Sequence, residues 1–452
     1  MKRGKSLLCL VLCALVCTGC AAPKGETMET KLTEYVIEQA EYPTYPRLRS
    51  AEDFIDGKGN WDGEAYRRAE EDYRLALEAL DKGGEGNLQP LMDFADETTG
   101  RVLRSGSGDS VVYAPVSLYV AMAMLAELTA GESRAEVLAA LGVEELDALR
   151  RSVHQLWLAG YCDNGVTTQR MGSSVWLNEK VAFHQETLRM LAEHDYASAY
   201  RVAMGSDEAN RAIGQWINEQ TGGLLKDAAD NIQTEALTLL QLYTTLYFKA
   251  RWQDTFRPEL TEKGLFHLYD ADGASVECDF MLSGSQGGYR RGDGYTAAVL
   301  PFAADGGYMT FCLPDGDTNI DELLCRETLV SELREMTDYG AMIHWKVPKF
   351  DVDAEVRLND LLKELGVTKV FSAESADFSP LTEETAFLDT VRQVARVKID
   401  EEGVEAAAFT EMAVCGASLP HEEIYMTLDR PFIFGIYSAE GMPLFLGTVC
   451  RP

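Results

Sequence analysis

Glu401-Glu402-Gly403-Val404-Glu405-Ala406-Ala407-Ala408-Phe409-Thr410, running on to Pro420, is the stretch on which the reading of this chain turns. It follows an alternating, strand-like run from Val391 to Ile399 and opens on two acids and a glycine. From Val404 the even positions read Val404, Ala406, Ala408, Thr410, Met412 and Val414, with no charge among them. The odd positions, Glu405, Ala407, Phe409, Glu411, Ala413 and Cys415, hold both carboxylates. Successive strand side chains point to opposite faces, so the segment can enter a sheet with one face buried. Alanine and glutamate also form helices well, which leaves a short helix or an exposed loop as the competing local reading.

Working outward, the same residues resemble the hinge of a serpin reactive-centre loop. The chain end supports that: Arg430-Pro431-Phe432-Ile433-Phe434 through Leu444-Phe445-Leu446-Gly447 is similar to the serpin C-terminal signature, at the expected distance from the hinge. The series continues in order from about Asn87. Tyr113-Ala114-Pro115-Val116-Ser117, Ser174-Val175-Trp176-Leu177, Leu246-Tyr247-Phe248-Lys249-Ala250-Arg251-Trp252, Val347-Pro348-Lys349-Phe350 and Ala376-Asp377-Phe378-Ser379 all look family-like. The resemblance implies an α+β fold with a large, mainly antiparallel central sheet, further sheets, surrounding helices and a mobile loop at about 401–420. No internal repeat or second globular domain is visible.

What it implies for function is a suicide-substrate inhibitor of serine proteases. The protease attacks the loop, forms an acyl-enzyme, and is trapped when the cleaved loop enters the sheet as a new strand. The hinge is then Glu401, Glu402, Gly403, Val404, Glu405, Ala406, Ala407 and Ala408, with small uncharged inward side chains and Gly403 as a pivot free to turn. The usual seventeen-residue count from Glu401 places the scissile bond at Ala417–Ser418, with Gly416–Ala417 and Cys415–Gly416 as alternatives. Ala417 suits an elastase-like enzyme with a small primary pocket, and a subtilisin-like enzyme is the second candidate. Trp252 falls at the family's breach, where the sheet first opens.

The chain departs from the family at the polar cluster beneath the parting strands. The usual serine before the proline is Ala114, the usual asparagine is Thr244 and the usual histidine is Gln393, whereas Ser117 is kept. A buried polar cluster must be mutually satisfied, so Ser117, Thr244 and Gln393 are expected to form a substitute sheet-opening network.

Forty-one basic against 73 acidic residues among 452 give a net charge of −32, which repels nucleic acid and anionic polysaccharide. The start reads as a targeting segment: Lys2, Arg3 and Lys5, an apolar run from Ser6 to Val16, then Thr18-Gly19-Cys20. It resembles a bacterial lipoprotein signal with Cys20 as the lipid-bearing residue, although Cys17 stands where that motif usually has leucine; an ordinary secretory signal is the alternative. The expected organisation is therefore a signal peptide over 1–19, an acidic tether over 20–86 with a helix from Gly63 to Leu80, and a serpin domain over 87–452. The place is extracytoplasmic, anchored by lipid at the cell surface or secreted.

Six cysteines outside the targeting segment are too scattered for a disulfide framework, so buried free thiols are expected. An enzyme reading finds little. Ser283-Gly284-Ser285-Gln286-Gly287 superficially resembles a nucleophile elbow, but Ser283 takes the place of its first glycine. His154, His184, His194, His267, His344 and His421 show no paired metal spacing. No catalytic residue, metal or cofactor is expected, and the expected partner is a serine protease bound by a monomer. The competing function is a serpin that binds or chaperones at the cell surface without inhibiting.

Overall fold

The computed structural model describes residues 8–17, 32–49, 51–56, 58–80, 88–106, 108–268, 273–316, 318–404 and 422–452. The strands that position the site are β1 (Leu8–Cys17), β2 (Val36–Glu38), β3 (Thr168–Asn178), β4 (Ala197–Val202), β5 (Thr238–Arg251), β6 (Ser275–Gly292), β7 (Asp338–Pro348), β8 (Ala386–Ile399), β9 (Gly403–Val404) and β10 (Glu423–Thr427). The relevant helices are α1 (Gly63–Ala79), α2 (Pro115–Leu128), α3 (Leu146–Ala159) and α4 (Asp207–Gln220).

Two nine-stranded sheets carry the molecule. The first runs β2, β4, β3, β5, then β1 and β9 end to end, then β8 and the strand Phe350–Arg357. Its pairings are mixed: β3 pairs β4 in parallel, while β3–β5 and β8 with Phe350–Arg357 are antiparallel. Along β8, Val391, Gln393, Ala395, Val397 and Ile399 are buried and the residues between them are not, as the alternation in the sequence requires.

Both faces of the first sheet are covered near its centre, which is why β5 is buried at nearly every position rather than at every second one. Beneath it lies α2, opened by Pro115 at its first turn, with all fourteen residues buried. A helix apolar on every side must be enclosed, and Val116, Leu118, Met122 and Leu125 fill the main core. Over the outer face lies α4, whose Trp216, Ile213 and Ile217 pack with Trp176 of β3 and Tyr243 and Tyr247 of β5.

The acidic segment before residue 87, expected as a tether with one helix, pairs in part with the body of the protein. Residues 32–49 bind the body of the protein, and β2 adds an antiparallel strand to the edge of β4, pairing Val36 with Tyr200. The Ser198 hydroxyl accepts from the Ala40 amide at 3.2 Å, and Leu48 N–H donates to the Asn164 carbonyl at 2.8 Å. Tyr42 stacks on Trp157 at 5.2 Å and on Tyr196 at 6.1 Å. The expected helix is present as α1, capped by the Asp62 carboxylate on the amides of Glu64 and Ala65.

The N-terminal run lies in the first sheet as β1, parallel to both β5 and β8. No described helix is long and apolar enough to cross a membrane.

Candidate reactive-loop site and gate

The loop leaves the sheet where β8 ends, and the turn there is built by Asp400. Its carboxylate accepts from the amides of Glu402 at 2.9 Å and Gly403 at 3.3 Å, while its own amide donates to the Gly403 carbonyl at 3.0 Å. That reversal lays Gly403–Val404 antiparallel against both flanking strands, Val404 opposite Ile399 and Ala250. Val404 is fully buried, on the inward face the alternation assigned to it.

A second constraint on Gly403 stands beside its φ of 158°. A Cβ there would stand 2.1 Å from the Ala250 carbonyl oxygen and 2.7 Å from Arg251 Cα. Close backbone approach therefore adds to the conformational reason for glycine.

Trp252 holds this corner. Its indole N–H donates to the Asp400 carbonyl at 2.9 Å, its amide donates to the Glu402 carbonyl at 3.0 Å, and its ring stacks on Phe302 at 4.9 Å. Glu401 reaches the other way, to Lys349 Nζ at 2.6 Å and the Thr261 hydroxyl at 2.7 Å. Burial works against its charged form, but the hydrogen bonds from Lys349 and Thr261 outweigh it and hold Glu401 below the usual carboxylate range. At the far end of the loop, the Glu422 carboxylate accepts from Tyr289 at 2.6 Å and Arg291 at 2.5 Å. Both ends are therefore clamped by charge-assisted bonds.

Those clamps were not singled out from the sequence. Lys349 was quoted only as part of a family-like run, and Thr261, Tyr289 and Arg291 carry no local signal. They matter because of strands brought in from elsewhere. Glu405, Ala406, Ala407, Ala408, Cys415, Ala417, Ser418 and Cys20 lie outside the described residues.

Beneath the slot, the expected three-residue network divides into two clips on the start of α2. Ser117 Oγ lies 3.0 Å from Thr244 Oγ1, and the Thr244 hydroxyl also donates to the Ser117 carbonyl at 3.3 Å. Gln393 grips Ala114 at both ends, accepting from its amide at 2.8 Å and donating to its carbonyl at 3.0 Å. Among the described residues no hydrogen bond joins Gln393 to Thr244 or Ser117. The reason is reach: Thr244 on β5 and Gln393 on β8 face one another across the occupied slot, both opposite Ala14 of β1. The amide of Gln393 satisfies the backbone of Ala114, where the family's serine side chain is missing.

The remaining sequence candidates fall elsewhere. Ser283 and Ser285 lie inside β6 without a strand-to-helix turn, and Trp345 Nε1 donates to Ser285 Oγ at 3.1 Å. Cys162, Cys312 and Cys450 are buried and in no disulfide, but Cys278 is half-buried and Cys325 exposed, which corrects the uniform expectation.

Between β5 and β8, which run parallel, Gly403–Val404 and Leu8–Cys17 share one strand position, and the residues on either side of the loop are clamped. The description "Serpin (serine protease inhibitor)" belongs to the family model that matches residues 89–452, and the chain belongs to that family. Among curated relatives, Serpin-Z1C of Triticum aestivum is 31% identical over 366 residues, covering 76% of this chain and 91% of its own. Alaserpin of Manduca sexta is 26% identical, covering 84% and 98% respectively. Among solved structures, the native-state thermophilic serpin tengpin superposes with a TM-score of 0.71 at 21% identity over 81% of this chain and 94% of that one. Cleaved Serpin 42Da gives 0.70 at 25% identity, over 81% and 99%.

Proposed function

We propose that the protein inhibits serine proteases by inserting its cleaved loop between β5 and β8, with Ala417–Ser418 as the bond attacked and an elastase-like or subtilisin-like enzyme as the target. The observation that carries this reading is the hinge register. Continued from the Ile399–Val404 pair, antiparallel pairing sets Ala406 against Val397, Ala408 against Ala395 and Thr410 against Gln393. Those partners are all buried, so each inward loop residue must be small and uncharged, and each is.

The same register says what must leave. Cys17 of β1 lies opposite Arg396 and Tyr247, the positions Ala407 would take on both sides. Loop residues beyond Ala406 and the segment Leu8–Cys17 are thus alternative occupants of one slot. This agrees with reading residues 1–19 as a targeting peptide removed at Cys20, after which the mature protein would be lipid-anchored or secreted, and monomeric.

Denaturing gels after mixing the protein with an elastase and with a subtilisin test the proposal. A covalent complex and a released fragment beginning at Ser418 are expected, and only from chains lacking Leu8–Cys17. Cleavage without complex across a wide protease panel would transfer the reading to a non-inhibitory serpin that binds or chaperones at the cell surface.

A further inference from the structure

The loop ends where β10 begins, at the edge of the second sheet, and the face presented there is unusual. Tyr339 and Tyr425 are 74% and 65% exposed, the highest values among the described large hydrophobic residues. Strand pairing sets Met342 beside Glu423 and His344 beside Tyr425, all on the side opposite the buried Ile343 and Trp345. Tyr339 lies over Gly288, where a Cβ would meet its ring at 2.9 Å, and Gly288 shares strand parity with the exposed Gly284 and Gln286. One surface therefore carries two exposed phenols, a methionine and an imidazole.

The surface is also held in shape. The Tyr425 ring stacks on His344 at 4.6 Å and 13° between planes, and its hydroxyl donates to the Glu423 carboxylate at 3.0 Å. The same carboxylate lies 3.8 Å from His344 Nε2, which has no hydrogen-bond partner among the described residues. A tyrosine already fixed by its neighbours loses little rotamer freedom when covered, and fixed aromatic residues are what binding hot spots are made of.

We propose that this face, bearing Tyr339, Met342, His344, Glu423 and Tyr425, is an exosite that docks the same protease the loop engages, through a partner rim that is aromatic or apolar with basic residues. The proposal rests on the loop reading above. Its occupant follows from distance. Seven residues separate Ser418 from Tyr425, so the two lie at most roughly 25 Å apart even when extended. A protease of about 250 residues is roughly 45 Å across, so one seated on the Ala417–Ser418 bond overhangs β10. Glu422 is neutralised by Arg291, whereas among the described residues no lysine or arginine pairs with Glu423, which faces the exposed patch and fits a basic partner.

The test uses the chain from Cys20 onward, in which Leu8–Cys17 no longer fills the slot, and whichever of the elastase or the subtilisin cuts the loop. The double variant Tyr339→Ser/Tyr425→Ser should lose roughly tenfold or more in the second-order rate of loop cleavage. The free peptide spanning 411–422 should be cut at the rate of that variant, and Glu423→Gln should flatten the dependence of the wild-type rate on salt. Melting temperature should not move, because both tyrosines are on the surface. A variant rate within twofold of wild type overturns the exosite. So does a sedimenting dimer that the double substitution dissolves, since the face would then belong to a second copy of this chain. Rate and trapping are separable: a rate loss in a protein that forms no covalent complex keeps the exosite and removes the inhibitor reading.

Discussion

Gly403→Ala is the substitution whose cost the structure fixes most closely. The new methyl would stand 2.1 Å from the Ala250 oxygen and 3.0 Å from its carbonyl carbon, both backbone atoms that cannot swing aside. Either β5 shifts or β9 leaves the sheet. Overpacking of this kind costs about 1–3 kcal/mol. Expelling β9 forfeits the Asp400–Gly403 and Trp252–Glu402 backbone hydrogen bonds, about 1 kcal/mol each, and the burial of Val404, about 2 kcal/mol more. The chain takes the cheaper route, so about 1–3 kcal/mol is lost. Because the hinge must pass this point first on insertion, the loss also slows trapping relative to release of the cleaved product. Two readouts check it: the urea midpoint should fall, and the number of inhibitor molecules consumed per protease trapped should rise several-fold. A Gly403→Ala protein with wild-type midpoint and wild-type stoichiometry would refute the argument from close approach.

Three further outcomes follow from the same geometry. Gln393→Ala leaves the buried Ala114 amide without its partner and takes one of two donors from its carbonyl, which keeps the Leu118 amide, and should cost about 2–4 kcal/mol in denaturant unfolding. Because Gln393 and Thr244 hold different residues of α2, a cycle with Thr244→Ala should give a coupling below about 1 kcal/mol, and a larger one would mean that the clips act as one network. Tyr42→Ala removes the ring stacked on Trp157 and Tyr196, and should destabilise the protein by about 1–3 kcal/mol, an effect a free tether could not produce. The Glu401 clamp should be acid-sensitive. Its folded pKa is depressed, so its contribution is complete above the ordinary glutamate value and fades as pH falls through the folded one. Hydrogen exchange at the Phe256 amide, which donates to the Glu401 carbonyl at 3.0 Å, should rise under those conditions beyond its intrinsic rate, and Lys349→Met should abolish that excess pH dependence.

Legibility in the sequence divided along physical lines. The inward place of Val404 could be read because its chemistry is local: a period of two that starts just after a glycine. The central strands could be read for the same reason, since Val391 to Ile399 alternates as a half-buried strand does. Residues 32–49 could not, because Tyr42, Tyr45 and Leu48 have no period of their own and gain order from residues far along the chain, among them Trp157, Tyr161, Asn164 and Tyr196. The three gate candidates were expected to form one network and instead form two clips. Residue identity marks Ser117, Thr244 and Gln393 as unusual, yet only coordinates show that Gln393 spends both its polar groups on the Ala114 backbone. The loop clamps at Lys349 and Arg291 depend on strand neighbours far apart in the chain, which spacing along one sequence does not encode.

Insertion is the central claim, and charge at one inward position tests it most directly. Ala408 would come opposite Ala395, which is fully buried, so Ala408→Arg would drive an unpaired guanidinium into the sheet. Mixed with a protease that the wild-type protein traps, the variant should be cut at the same bond and rate but released as a spent substrate, with no covalent complex on a denaturing gel. Trapping by Ala408→Arg at wild-type stoichiometry would contradict the account, because the cleaved loop could not then be entering the slot between β5 and β8.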